Sequence, residues 1–205
     1  MPPASRANEA TIQPLVPDVL APGLDLVFCG TAPSPVSYRE RAYYANPGNS
    51  FWRTLHKVGV LPEQLEPRCY PEVLRHGVGL TDLNKTEYGS DHELSPQAMD
   101  RNSLRAKLRR YRPAAVAFTS KNAGSLYFGV KTLLYGRQGS AIVDTLGDAV
   151  LAQITYFVLS SPSGRARSWW NLQPWEEMAA FLAARRAARM DPPGRTVSEA
   201  RHGRR

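Results

Sequence analysis

An α/β fold built on a mostly parallel sheet is what this sequence predicts, and three observations predict it. Short apolar runs of strand length alternate with longer segments of helical periodicity. The runs are almost continuously apolar, as strands covered on both faces are. They open into loops rich in polar and aromatic residues, and open α/β sheets hold their ligands in such loops at the carboxyl ends of the strands. The expected architecture is a three-layer α/β/α sandwich around a central sheet of four to five strands.

Residues 1–17 are polar and proline-bearing and are expected to be flexible. Residues 18–190 are expected to form one domain, and 191–205, past Pro192-Pro193-Gly194, a basic tail without structure. Within the domain, Leu26-Val27-Phe28-Cys29 reads as a buried strand that stops at Gly30. A long loop follows, with Pro33, Pro35, Tyr43 and Tyr44 and then Asn46-Pro47-Gly48-Asn49, and Asn49 has the chemistry to cap a helix over 49–58. Residues 62–71 are a connector, and Val73-Leu74 opens a short helix ending at Gly77. Val78 to Leu83 is the second strand, followed by a polar loop from Lys85 to Pro96. Ser95-Pro96 reads as cap and first position of a helix running to Tyr111, with Leu104 and Leu108 inward. Ala114 to Phe118 is the third strand, with a helix starting at Ser120-Lys121. Gly136 to Gly139 reads as a turn, Ala141-Ile142-Val143 as an edge strand, and Ile154 to Leu159 as a strand of high β-propensity. Residues 174–190 form a helix with Trp175, Met178, Phe181 and Leu182 on one stripe. Three carboxyl-end loops then converge: 30–49, 82–95 and 160–167.

The net charge of +8 suits a polyanionic partner. Arg101, Arg105, Lys107, Arg109, Arg110 and Arg112 cluster, and Arg185, Arg186, Arg189, Arg195, Arg201, Arg204 and Arg205 follow near the C-terminus; the alternative is a solvated helix face and a disordered tail, and for the tail alone that alternative is preferred. Two cysteines, Cys29 and Cys69, are too few to hold an iron–sulfur cluster and lack metal-ligand spacing, so no metal or cofactor is expected. No secretory segment or long apolar span is present, which points to the cytoplasm and away from membranes. A nucleotide-binding α/β protein is disfavoured, because neither a P-loop nor a Gly-x-Gly-x-x-Gly turn follows a strand.

Two motifs carry a resemblance. Asp18-Val19-Leu20-Ala21-Pro22-Gly23-Leu24 with Leu26-Val27-Phe28-Cys29-Gly30, and the spacing from Gly30 to Phe51-Trp52, resemble the mismatch-specific uracil-DNA and thymine-DNA glycosylases. Tyr43-Tyr44-Ala45-x-Pro47-x-Asn49-x-Phe51-Trp52 also resembles the hypoxanthine-DNA glycosylase branch of the same uracil-DNA glycosylase superfamily. Ser161-Pro162-Ser163-Gly164 is similar to the superfamily's other motif, the loop that enters DNA, and the likeness runs from Asp18 to Leu182.

The resemblance implies the superfamily's fold and a monomeric, monofunctional hydrolase that flips a damaged base, uracil first, out of DNA and leaves an abasic site. The alternatives are removal of hypoxanthine or xanthine, or lesion binding without catalysis. It assigns Tyr44 to the floor under the base, with Tyr43 in reserve; a core aromatic is the plainer reading. Asp82 stands where relatives often carry an Asn that reads the base edge; capping of the following loop is the alternative. The first motif's water-positioning acid or amide is missing: Thr31 and Ala32 stand there, and Ala32 supplies only wall. Asn49 is the replacement preferred over Thr31, against the reading that it merely caps a helix. Ser161 replaces the second motif's usual His or Asn as donor to the base oxygen, and a hydroxyl is a weaker donor, which predicts a slow enzyme unless a group such as His92 substitutes. Ser163, Gly164, Arg165 and Arg167 are assigned to the DNA grip, with Ser37 and Lys121 as further phosphate ligands. Trp169-Trp170 is expected to pack the last helix against the sheet.

Overall fold

The computed structural model describes residues 14–190, so the expectations for 1–13 and 191–205 lie outside the described residues. Its centre is a five-stranded sheet in the order β2-β1-β3-β5-β4, with β1 Leu26–Gly30, β2 Val78–Asp82, β3 Ala115–Phe118, β4 Gly136–Arg137 and β5 Thr155–Val158. β1 pairs in parallel with both β2 and β3, with Leu26 opposite Val78 and Ala115. β3 pairs in parallel with β5, and β4 alone runs antiparallel at the edge. The winding reverses between β1 and β3, so a crevice opens between their carboxyl ends.

Strand periodicity divides the core in two. Phe28, Leu80, Ala117 and Phe157 face α2 (Phe51–Lys57) and α6 (Gln173–Met190) through Phe51, Trp52, Leu55, Trp175, Met178 and Leu182. Val27, Cys29, Val116, Phe118, Tyr156 and Val158 face α3 (Arg101–Tyr111) and α4 (Lys121–Phe128) through Leu104, Leu108, Ala123, Tyr127 and Phe128. The three expected layers are therefore present. The packed body reaches back at least to Val16, which is fully buried, two residues before the boundary expected at Asp18.

Several local expectations need correction. The loop after β1 contains a helix, α1 (Pro35–Glu40), capped by Ser34 with Pro35 in its first turn. The edge strand is Gly136–Arg137, where a turn was expected, and Ser140–Val143 is a short helix, α5, where the edge strand was expected. Three apolar residues in a row do not distinguish the two states. Ser95-Pro96 opens only a 3₁₀ turn; α3 starts at Arg101, with Asp100 accepting from the Ser103 amide at 2.8 Å. The connector from Pro67 to His76 is a 3₁₀ helix closed by left-handed Gly77.

Three arginines counted with the C-terminal charge hold the fold instead. Arg185 and Arg189 pair with buried Asp25 at 3.2 and 2.7 Å, and Arg186 donates to the carbonyls of Val60 and His76. Trp175 locks α6 to the end of β5: it is fully buried, stacks near Phe28, and its indole N–H donates to Ser160 at 3.2 Å. Trp175→Ala is expected to lower unfolding free energy by about 3–5 kcal/mol, measured by urea denaturation.

Candidate active site

Because parallel strands end at one edge, the loops after β1, β2, β3 and β5 meet there, and backbone hydrogen bonds stitch them together. Leu83 and Asn84 donate to the carbonyls of Gly30 and Thr31 at 3.0 and 2.8 Å, and Gly89 donates to Pro33 at 3.0 Å. The Ser50 amide donates to Pro162 at 2.9 Å. Gly164 packs so closely on Gly48 that a Cβ there would stand 2.9 Å from the Gly48 carbonyl oxygen. Arg165 reaches across to the Ser90 hydroxyl. These contacts enclose a cavity of about 620 Å³.

All the expected site residues except Lys121 and Arg167 line this cavity: Asn49, Thr31, Ser161, Tyr44, Asp82, Ala32, Ser37, Ser163, Gly164 and Arg165. Lys121 lies outside its lining, with its ammonium 4.2 Å from the centre of the Tyr135 ring. Arg167 lines an adjoining groove of about 180 Å³ with Arg53, Ser50 and Trp170. His92 is exposed and lines neither space.

Tyr44 adopts a left-handed backbone, with φ 53°, which costs a non-glycine residue energy and is held only by its surroundings. Its ring stacks on Phe51 at 3.7 Å and its hydroxyl meets Thr119 Oγ1 at 3.3 Å, spanning the crevice between β1 and β3. Burial pushes its phenol well above the ordinary value, so it is neutral. Tyr43 also touches the cavity but is nearly all core, buried and accepting through its hydroxyl from Lys85 at 2.8 Å.

Asn49 does both things considered for it. Its Oδ1 accepts from the Phe51 amide at 2.9 Å, although Ser50 holds the cap position, and it still lines the cavity. That bond fixes the amide plane, with the NH₂ group left as donor. Ser161 Oγ accepts from the Ser163 amide at 3.3 Å, which leaves its proton free to donate elsewhere. Ser163 caps the 3₁₀ turn over Gly164–Trp169. Ser37 is buried, and its hydroxyl accepts from the Ala45 amide at 3.2 Å, so it braces the first loop. Thr119, Ser120 and Trp169 line the cavity as well and were missed. Thr119 and Ser120 follow β3 directly, so their place at a strand's carboxyl end was the available signal. The tryptophan pair divides: Trp170 lies 5.8 Å from Trp175, but Trp169 is 77 % exposed at the rim, contrary to its expected packing role.

Asp82, 4 % exposed at the end of β2, makes no hydrogen bond among the described residues, and its Oδ2 is wholly enclosed. Lys85 stands 3.9 Å from that atom but is engaged by Asp18 at 2.9 Å and by Tyr43. Burial raises the Asp18 carboxyl, but Lys85 and Lys107 outweigh it and hold it below its ordinary value. For Asp82 burial dominates and pushes the carboxyl up to about 6, against the pull of Lys85. A folded value above the ordinary 3.8 means that ionisation opposes folding: the cost is absent below about pH 4, grows to about pH 6, and is complete above it. Asp82→Asn is therefore expected to stabilise the protein at pH 7 by up to about 3 kcal/mol and to change little at pH 4, read from urea midpoints at the two pH values.

A sequence model of the uracil DNA glycosylase superfamily matches residues 17–185. A solution NMR structure of a protein from Methanosarcina acetivorans, whose assignment as a uracil DNA glycosylase is itself provisional, superposes with a TM-score of 0.57 at 22 % identity. That match covers 85 % of this chain and 98 % of that one.

Proposed function

The chain belongs to the uracil DNA glycosylase superfamily, and on that premise we propose that it is a monofunctional DNA glycosylase that hydrolyses the N-glycosidic bond of a deaminated base, with uracil the first candidate. The observation that carries this reading is one cavity lined together by Tyr44, Asp82, Asn49 and Ser161 at the carboxyl edge of a parallel sheet. Its volume falls in the range of about 300–1,000 Å³ common to ligand clefts. No helix among the described residues is long and apolar enough to cross a membrane.

Each side chain then has a task set by the charges that develop. A base leaving as an anion and a sugar becoming cationic need a donor at the base oxygen and a water near the sugar. The free proton of Ser161 suits the first. The NH₂ group of Asn49 and the second lone pair of its Oδ1 suit the placing of water. Tyr44, neutral and backed by Phe51, offers a preorganised surface for a base whose extrusion costs a few kcal/mol of stacking and pairing. Arg165 and Trp169 stand at the rim, where a backbone phosphate and a neighbouring base pass, and Arg53 and Arg167 extend the positive groove.

Ala32 favours a second reading, a lesion-binding protein, because an inert side chain stands at this position of the first motif and only the Thr31 hydroxyl beside it can hold water. One assay separates them. Duplexes bearing uracil, hypoxanthine, xanthine or a G·T pair are incubated with the protein, and abasic sites are cleaved with alkali. Scission with at least one lesion is the expected result; tight binding of every duplex with no scission favours the second reading. Asn49→Ala is expected to slow single-turnover release by about 10²-fold or more, and an unchanged rate removes Asn49 from the chemistry.

DNA affinity separates the two rim residues. Trp169→Ala is expected to weaken binding by about 1–3 kcal/mol with no change in salt dependence, as lost base stacking does. Arg165→Ala is expected to flatten the slope of log K against log salt by about one, as a lost phosphate contact does. Titrations at several salt concentrations measure both.

A further inference from the structure

Most large aromatic side chains here are covered, but two that lie face to face are not. Tyr38 on α1 and Tyr88 on the loop after β2 stack with ring centres 4.2 Å apart and planes 9° from parallel, and they stay 40 % and 47 % exposed. Neither packs into either half of the core. The pair stands beside the cavity, not within it: Tyr38 follows Ser37 and Tyr88 precedes Gly89, and both of those neighbours line the wall. The segments that carry the rings are firmly held. Ser34 caps α1. Asn84 Oδ1 accepts from the Thr86 and Glu87 amides at 3.0 and 2.9 Å, Glu87 accepts from the Ser95 amide at 2.8 Å, and the Gly89 amide donates to Pro33 at 3.0 Å. The carboxylates near Tyr88 are spent on the same bracing, Asp91 on Asn122 at 2.7 Å and Glu93 on the Ser90 amide at 2.6 Å. Arg165 reaches this side of the cavity through the Ser90 hydroxyl. Trp169, 77 % exposed, offers a second aromatic surface on the loop after β5. The loops after β2 and β5 leave the sheet on opposite sides of β1 and β3, about 14 Å apart at the usual strand spacing.

We propose that the Tyr38–Tyr88 pair is a stacking platform for an unpaired nucleobase of the strand that carries the target base, so that the DNA accepted is single-stranded or locally opened around the lesion. This deepens the glycosylase reading and rests on it. Each ring spends one face on the other, and the exposed remainder is flat, preorganised and apolar, which suits any base because every base has such a face. The net charge of +8 and the guanidinium of Arg165 suit the phosphates between bases. In an intact duplex the faces are covered by neighbouring pairs, and only edges and backbone are offered to a protein. A face is free where the stack is open. A single strand also has no pairing to lose when the target base enters the cavity, which lowers the cost of extrusion.

Fluorescence anisotropy on the full chain tests this with a short lesion-free single strand, the same strand in a full duplex, and a duplex with a central unpaired bubble. Tyr38→Ala and Tyr88→Ala are each expected to weaken binding of the single strand and the bubble by about fivefold to a hundredfold, the range of one stacked base, with an unchanged salt slope and unchanged affinity for the full duplex. Tyr38→Phe and Tyr88→Phe keep the rings and are expected to keep the affinity. Unchanged single-strand affinity in both Ala variants, an equal loss on the full duplex, a flattened salt slope, or a loss in the Phe variants as large as in the Ala variants overturns the proposal. A second measurement needs no variant: tetranitromethane nitration of Tyr38 and Tyr88 in the wild type, read by peptide mass spectrometry. Saturating single strand is expected to protect both rings and full duplex to leave them reactive; equal nitration with and without single strand overturns the proposal. On a uracil-bearing single strand, Tyr88→Ala is expected to raise KM and keep kcat. Failure to release any base from any substrate sinks the glycosylase reading, while the lesion-free titrations and the nitration still decide the platform.

Discussion

The parallel pairing of β1 with two neighbours at once governs the rest of the molecule. It sends the loops after β1, β2 and β3 to one edge, where their backbone groups need partners in the absence of a ladder. The loops supply those partners to each other, through Leu83 and Gly30, Asn84 and Thr31, Gly89 and Pro33, and the fourth loop joins through Ser50 and Pro162. The cavity is what remains between loops that satisfy one another. Its walls are therefore fixed by main-chain bonds, while its chemistry is free to vary with the side chains.

Electrostatics beneath the floor follows the same economy. Lys85 and Lys107 converge on Asp18, and Thr81 donates to Asp18 at 2.8 Å, so that carboxylate is well satisfied. Asp82 is left over. A fold tuned only for stability would place a neutral or apolar residue there, and the retained carboxyl is the kind of local cost that marks sites with a task.

The layers were legible from the sequence, because β1, β2, β3 and β5 are runs of residues such as Val27, Leu80, Val116 and Phe157 buried on both faces, and such runs announce themselves. β4 was not: Gly136 and Arg137 have no β-propensity, and only pairing with Val158 and Phe157 makes them a strand. α1 carried its own signal in Ser34-Pro35, the same pattern weighted at Ser95-Pro96, where the chain makes only a 3₁₀ turn. At the site, the positions of Tyr44, Asp82 and Ser161 were readable from motif spacing. The isolation of Asp82 was not, since it depends on Asp18, remote in sequence, capturing the ammonium groups of Lys85 and Lys107. The split of Trp169 from Trp170 was equally hidden, because adjacent identical residues give no hint of which one turns inward.

Asn49 sits between Gly48, on which Gly164 rests, and Ser50, whose amide is bonded to Pro162. Its two sequence neighbours are thus both clasped by the loop that carries Arg165. The position of the Asn49 amide is therefore tied to that loop through both adjoining residues, and a change in either loop would be felt by the other within one peptide unit.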